Sequence, residues 1–256
     1  MKAWKQRRLN CKRYIYLYCD GVNFTIRRGR DITKESVLVV IGVAEDGTKD
    51  VLTFEAGDKE TATHWEAVFH PLIERGLRYR EVQLGIMDGL VGLERVFKET
   101  FPNAQIQRCQ VHKAKNVLCR VPRRYRKEFA RWMRAVFYAE SKIEAKENMK
   151  KLEEKWINIV PIAVECLKKD VDRPLTYLDF PREHWISLRT TNAIERLHKE
   201  YKRRTKPMEI AAGEYSLYRI LYYVSRRMEE TWKVFRIGKV GRKISDFQIK
   251  KFMEIA

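Results

Sequence analysis

The sequence lacks the features of a membrane or secreted protein. No stretch approaches the roughly 20 apolar residues that a helix needs to cross a bilayer, and no apolar signal-peptide core follows the basic N-terminus. The five cysteines are odd in number and scattered, and no two have Cys-x-x-Cys spacing, which disfavours a disulfide framework. We therefore expect a cytoplasmic protein with reduced thiols and no membrane partner.

Acidic residues are the scarcer charged class, with 34 Asp and Glu against 53 Lys and Arg, and the formal net charge is +19. Such an excess favours a polyanionic partner, for which nucleic acid is the usual choice. A surface charged only for solubility rarely needs so large an excess of one sign. With 256 residues, of which 45% are hydrophobic, the chain can form one large domain or two small ones.

The first 110 residues alternate between strand and helix patterns. Apolar alternation and β-branched runs predict strands, and apolar positions at helical spacing predict helices. The predicted strands are 14–19, 22–28, 36–44, 51–54, 82–87 and 104–108, and the predicted helices are 61–76 and 90–100. Asp20-Gly21 is a turn dipeptide, so strands 14–19 and 22–28 are expected to form a hairpin. The pattern predicts an α/β protein.

The rest of the chain has helical patterns. Residues 111–178 are rich in Lys, Arg and Glu and almost free of strand patterns. Asn192 offers an N-cap for a basic helix over 193–205, and two or three further helices are expected up to residue 256.

Three acids stand out by their positions. Asp20 and Asp88 each end a predicted strand and precede a glycine, and Glu195 lies in the first turn of the helix that Asn192 caps. Cleavage of a phosphodiester needs an activated nucleophile and a stabilised leaving oxygen, which two divalent ions held by a few carboxylates provide. Asp-Gly is also a common turn, and Glu a common stabiliser of a first helical turn, so spacing alone leaves both explanations open.

Two long segments and one short one resemble a known family. The first is 88–112, with DGLVGL at 88–93, TFPNA at 100–104 and QRCQVH at 107–112. The second is WISLRTTNAIERL at 185–197, followed by the basic KRRT at 202–205, and the third is Asp20-Gly21 after the first strand. Together they resemble the Mutator-type transposases, which comprise bacterial and archaeal insertion-sequence transposases and the plant Mutator elements.

The resemblance implies a ribonuclease H-like fold, with a mixed sheet flanked by helices. Its catalytic DDE triad would be Asp20, Asp88 and Glu195. It implies two Mg²⁺ or Mn²⁺ ions, element ends and target DNA as substrates, and strand transfer as the reaction. The implied organisation is a core in residues 1–112, an all-helical insertion in 113–184, and a final catalytic helix with C-terminal helices in 185–256. A homodimer or higher oligomer on DNA is expected because two element ends must be synapsed. We expect the protein in the cytoplasm of a prokaryotic cell, associated with the nucleoid.

Cys109 and His112 belong to the first matching segment. Two such ligands could begin a zinc site, but the sequence offers no second Cys/His pair to complete a tetrahedron. We expect the pair to support the structure beside Asp88.

DNA contacts are expected around Glu195. Trp185 could stack on an unpaired base or belong to the core. Basic residues flank or extend the Glu195 helix, and they are predicted to contact phosphates: Arg189, Arg196, Lys199, Lys202, Arg203 and Arg204.

The family usually carries a helix-turn-helix region before its first acid, whereas Asp20 comes early in this sequence. We therefore expect the chain to correspond to the catalytic core. An inactive DNA-binding regulator derived from a transposase is the alternative. Another ribonuclease H-like nuclease, such as a junction resolvase, agrees less well with the long helical block.

Overall fold

The computed structural model describes residues 1–208 and 210–238. The described residues form two compact units, which we name the sheet unit (1–106 with 191–208 and 210–238) and the helical unit (107–190). The domain boundaries expected from the sequence remain predictions, and the part of the predicted C-terminal helices in 239–256 lies outside the described residues. No helix in the described part of the chain is long and apolar enough to span a membrane.

The sheet has five strands within the described residues, and it is mixed, as the sequence predicts. The strands are β1 Tyr14–Arg28, β2 Asp31–Ala44, β3 Lys49–Ala56, β4 Leu84–Met87 and β5 Gln105–Arg108. Their order is β3-β2-β1-β4-β5. β1 pairs antiparallel with β2, which pairs antiparallel with β3, whereas β1 and β4 are parallel.

The predicted turn at Asp20-Gly21 is wrong. β1 runs through both residues without a break, and they pair with Val39 and Leu38 of β2. The hairpin turn lies instead beyond Arg28, where Gly29 adopts a positive φ of 62°. Because β2 is long enough to pair with all of β1, extended backbone satisfies the hydrogen bonds of Asp20 and Gly21 better than a turn would.

Ten α-helices occur in the described residues, joined by short 3-10 segments. The α-helices are α1 Lys2–Lys5, α2 Ala62–Glu74, α3 Val91–Thr100, α4 Gln110–Leu118, α5 Arg126–Phe137, α6 Lys142–Trp156, α7 Pro161–Lys168, α8 Trp185–Leu188, α9 Asn192–Thr205 and α10 Glu214–Val234. The predicted strand-free block is confirmed, because residues 109–190 contain helices and turns but no strand. Thr191, not Asn192, occupies the N-cap position of α9.

Helices cover both faces of the sheet. On one face, Trp65 and Phe69 of α2 and Phe97 of α3 join a buried cluster with Leu17 and Cys19 of β1. Residues alternate between the two faces of a strand. Asp20 therefore points to the opposite face, together with Phe24 of the same strand.

That opposite face is covered by α9 and α10. The ring of Phe24 meets Tyr201 of α9 edge-on, with centroids 6.4 Å apart. Phe54 of β3 stacks with Tyr218 of α10 at 5.9 Å. The packing of α9 on β1 therefore determines which side chains of the helix come near Asp20.

Candidate active site

Asp20 and Asp88 lie side by side because of the strand register. β1 and β4 are parallel, and Cys19 pairs with Met87, so the two aspartates follow paired positions. Neighbouring strands are about 4.8 Å apart. β4 ends at Met87 while β1 continues, so Asp88 lies just past a strand end next to the middle of β1. Asp20 is buried, with 9% of its surface exposed, and Asp88 is half-buried.

Glu195 is held in the first turn of α9. The apolar residues Ile194, Leu197 and Tyr201 are buried, which places this side of the helix against the rest of the sheet unit. Glu195 is next to this buried side of the helix and is half-buried. The hydroxyl of Thr191 donates a hydrogen bond to Glu195 Oε1 at 3.1 Å. The positive end of the helix dipole also favours a carboxylate here.

His198 lies on the same helix as Glu195 and contacts Asp20 of β1. It is 8% exposed and follows Glu195 by one helical turn, and its Nδ1 lies 3.5 Å from Asp20 Oδ2. Burial lowers the pKa of His198 to about 3. This value includes the positive charge of Lys202, which also lowers the pKa, and the carboxylates of Glu195 and Asp88, which act in the opposite direction. All three predicted acids therefore lie near one buried imidazole.

Lys59 adds a positive charge to the same site. A Cβ built on Gly21 would lie 2.9 Å from Lys59 Cβ, so this lysine packs directly on the glycine that follows Asp20. The indole N–H of the buried Trp65 donates to the backbone oxygen of Lys59 at 2.9 Å and fixes the loop. The positive charge of Lys59 also contributes to the low pKa of His198.

Sequence reasoning missed Lys59 and His198 as site residues. For His198 a signal exists, because residues three apart on a helix share a face and Glu195 is three residues earlier. For Lys59 no local pattern is visible, since its place depends on the packing of the loop after β3 against β1.

Comparison with known proteins agrees with the resemblance of segments 88–112 and 185–205. The model of the family described as "Transposase, Mutator family" matches residues 1–234. The chain belongs to this family.

Individual members of the Mutator family match over most of the chain. It is 31% identical to the transposase for insertion sequence element IS6120 of Mycolicibacterium smegmatis, over 86% of this chain and 68% of the relative. It is also 31% identical to the IS406 transposase of Burkholderia multivorans, over 94% and 60% respectively, and to the IS905 transposase of Lactococcus lactis, over 81% and 52%. The chain thus spans about half to two thirds of the length of these relatives.

Three other residues for which the sequence predicts a functional role belong to the helical unit of this Mutator-family chain: Cys109, His112 and Trp185. Cys109 is buried at the N-cap of α4, and His112 is half-buried in the first turn of that helix. Trp185 is half-buried, and its indole N–H donates to the backbone oxygen of Phe180 at 2.7 Å. A supporting role for Cys109 and His112, and base stacking by Trp185, stay predictions.

Arg189 is also in the helical unit and is buried, with 5% exposure. Its guanidinium carbon lies over the rings of Tyr138 and Tyr177 at 4.6 and 4.8 Å, and 6.0 Å from the ring of Trp185. The predicted phosphate contact of Arg189 stays a prediction, and this burial disfavours it.

The other predicted phosphate contacts lie on the outer side of α9. Arg196, Lys199, Lys202, Arg203 and Arg204 are all exposed. Arg203 pairs with Glu200 at 3.4 Å, so its charge is partly offset. The exposed side of α9 therefore carries a basic stripe that starts in the same turn as Glu195.

Proposed function

We propose that the chain is the catalytic core of a DNA transposase, which cleaves phosphodiester bonds at element ends and joins them to target DNA. Membership of the Mutator family supports the reaction class. The observation that carries the assignment is the contact between Asp20 and His198. It links the helix that carries Glu195 to the strand that carries Asp20 and lies next to Asp88, which supports a shared site for the three carboxylates.

The residues present fit a pair of divalent ions. Carboxylate oxygens are the hard ligands that Mg²⁺ and Mn²⁺ take in nucleotidyl-transfer sites. Because the pKa of His198 is about 3, its ring is neutral at working pH and does not offset the three negative charges. Bound ions would activate a water or 3′-hydroxyl nucleophile and stabilise the leaving oxygen. Asp20, Asp88 and Glu195 are the residues that would hold them.

The protein's own groups prepare this site in two ways. The backbone N–H of Gly21 donates to Asp20 Oδ1 at 2.8 Å, and the hydroxyl of Thr191 donates to Glu195, so two carboxylates are oriented before substrate binds. Lys59 and the basic stripe of α9 supply positive charge for DNA phosphates.

The strand order supports a ribonuclease H-like fold as part of this proposal. Three antiparallel strands precede a fourth that pairs in parallel with the first; Asp20 lies in the first strand and Asp88 directly follows the fourth. We also propose that the active species is a dimer or higher oligomer on DNA, because transposition requires two element ends to be held together.

Metal binding and DNA cleavage by the purified chain test the proposal. We expect Mn²⁺ to bind and to support nicking of a supercoiled plasmid that carries the element's terminal repeats. Asp20→Asn, Asp88→Asn and Glu195→Gln each remove a ligand charge and should lower the nicking rate by about 100-fold or more. Two exposed acids of the sheet unit, changed as Asp31→Asn and Glu99→Gln, are matched controls that should behave as wild type.

The same variants separate catalysis from DNA binding. A variant with all three acids replaced should still bind duplex DNA, because the basic stripe is intact. If that variant binds Mn²⁺ and nicks DNA as well as wild type does, the proposal is wrong.

A further inference from the structure

The ring of His198 has a defined orientation. It stacks on Tyr201 with ring centroids 6.3 Å apart and planes inclined by 28°. The hydroxyl of Tyr201 is hydrogen-bonded to Ser225 of α10 at 2.6 Å, and its ring packs edge-on against Phe24 of β1. Because both partners of Tyr201 are buried, the stack restricts rotation of the histidine ring.

The two nitrogens of this ring have different surroundings. Nδ1 lies 3.5 Å from Asp20 Oδ2, whereas Nε2 is buried and has no hydrogen-bond partner within the described residues. The other oxygen of Asp20, Oδ1, accepts from the backbone N–H of Gly21. The Asp20 carboxylate therefore has a donor at one oxygen and the imidazole at the other.

The charge state of the ring decides what Nδ1 can do. A neutral imidazole carries one N–H, and the tautomer with the proton on Nδ1 can donate to the carboxylate. The opposite tautomer would direct a lone pair of Nδ1 at a negatively charged oxygen. At 3.5 Å the contact is longer than a formed hydrogen bond, and a small rotation of the Asp20 carboxylate would close it.

We propose that His198 is a positioning residue for Asp20: its Nδ1–H donates to Oδ2 and holds the carboxylate in the orientation that binds metal. The inference rests on the proposed function, because it gives Asp20 a ligand's role. Partners that orient a metal ligand typically change metal affinity or activity by about 10- to 100-fold when they are removed. A histidine that only fills the core would affect stability alone.

Three substitutions separate the two roles. His198→Asn places an amide N–H near the position of Nδ1, His198→Gln places it near that of Nε2, and His198→Leu has no donor. We expect Mn²⁺ affinity and nicking rate to fall about 10- to 100-fold in His198→Leu, and to stay within about 3-fold of wild type in His198→Asn. His198→Gln should resemble His198→Leu. His70→Leu, at an exposed histidine of α2, is the matched control and should change neither quantity.

Thermal unfolding of the same variants gives the structural readout. His198→Leu should unfold at or above the wild-type temperature, because it removes a buried nitrogen without a partner. If His198→Leu does not fold, the comparison of His198→Asn with His198→Gln still tests the positioning role. Equal metal affinity and equal rates in those two variants would overturn the positioning role.

Asp20→Asn distinguishes failure of this inference from failure of the proposed function. If Asp20→Asn nicks DNA at the wild-type rate, the proposed function itself is wrong. If Asp20→Asn is inactive and His198→Leu retains wild-type Mn²⁺ affinity and rate, only the role of His198 is overturned.

Discussion

Gly21 and Lys59 are in direct contact across the loop that follows β3. A methyl group added at Gly21 would come within 2.9 Å of Lys59 Cβ and 3.3 Å of Leu38 Cδ2. The glycine is needed for this close approach and not for a turn, since β1 is extended there. Its absent side chain lets a lysine lie next to the strand position that bears Asp20.

Gly21→Ala should therefore damage the site. The nearest atom of Lys59 is next to its backbone, so it cannot move away as the end of a side chain would, and we expect a loss of about 1 to 3 kcal/mol in unfolding free energy. The nicking rate should fall because Asp20 and Lys59 are displaced together. Gly92→Ala in α3 is the control: its nearest contact would be 3.4 Å, and alanine favours a helix by up to about 1 kcal/mol. Equal urea-unfolding midpoints for wild type and Gly21→Ala would contradict this prediction.

Thr191→Val should lower activity through Glu195. Valine keeps the shape of threonine but loses the hydroxyl that donates to Glu195 Oε1. A hydrogen bond to a charged group contributes about 1.5 to 3 kcal/mol, so we expect the nicking rate to fall about 10-fold or more. Thr191→Ser keeps the hydroxyl and should retain most of the activity. Similar rates in the valine and serine variants would show that the hydroxyl does not orient Glu195.

The basic stripe of α9 should determine the salt dependence of DNA binding. Lys199→Ala and Lys202→Ala each remove one exposed charge beyond Glu195. If each lysine contacts a phosphate, each change should reduce the slope of log affinity against log salt by about 0.9. Fluorescence anisotropy of a labelled duplex at several salt concentrations measures the slope. Lys150→Ala on α6 is the control, and an equal effect there would mean that α9 has no special role.

Arg189 should contribute to stability and not to DNA binding. Its guanidinium lies among three aromatic rings, and a desolvated cation–π contact is worth about 2 kcal/mol. Arg189→Met should lower the unfolding free energy by about that amount or more, without changing the salt dependence of DNA affinity. Arg182→Met, at an exposed arginine 5.6 Å from the Trp185 ring, should cost less. A reduced salt slope in Arg189→Met would restore the phosphate-contact prediction.

Glu229 should make stability depend on pH. Burial raises the pKa of Glu229, although Arg7 and Arg226 act to lower it. The protonated form is therefore favoured by folding, and its stabilising effect is complete below the ordinary pKa near 4.5 and is lost as pH rises through the raised value. Urea unfolding from pH 4 to 8 should show that wild type loses stability relative to Glu229→Gln. The exposed Glu230, changed as Glu230→Gln, should not show this trend, because the neighbouring Lys233 lowers its pKa.

Much of the sheet unit follows from local patterns. The apolar run at 36–44 and the helical spacing of Trp65 and Phe69 predict elements that the structure contains. The turn prediction at Asp20-Gly21 is wrong because pairing with β2 overrides the local preference of this dipeptide for a turn. The length of the pairing partner decided between turn and strand, and that partner lies elsewhere in the chain.

In the candidate site, too, local patterns predict some positions and long-range packing decides others. Asp88 and Glu195 could be selected from a strand end and a helix start, and all three acids from the family resemblance, whereas the strand end predicted at Asp20 is wrong. Lys59 could not be assigned to the site from the sequence, and the three-residue spacing of His198 from Glu195 does not by itself predict the contact of His198 with β1. The sequence predicts a phosphate contact for Arg189 from its position near the Glu195 helix, whereas the structure buries its guanidinium against aromatic rings.

The sequence by itself determined the family, the α/β class and the basic charge, because these depend on residue type, on motifs and on short-range periodicity. The tertiary structure alone decided that β1 continues past Asp20, that an imidazole meets this carboxylate, and that a lysine packs on Gly21. Those relationships depend on strand register and helix docking, which arise from the packing of many distant side chains.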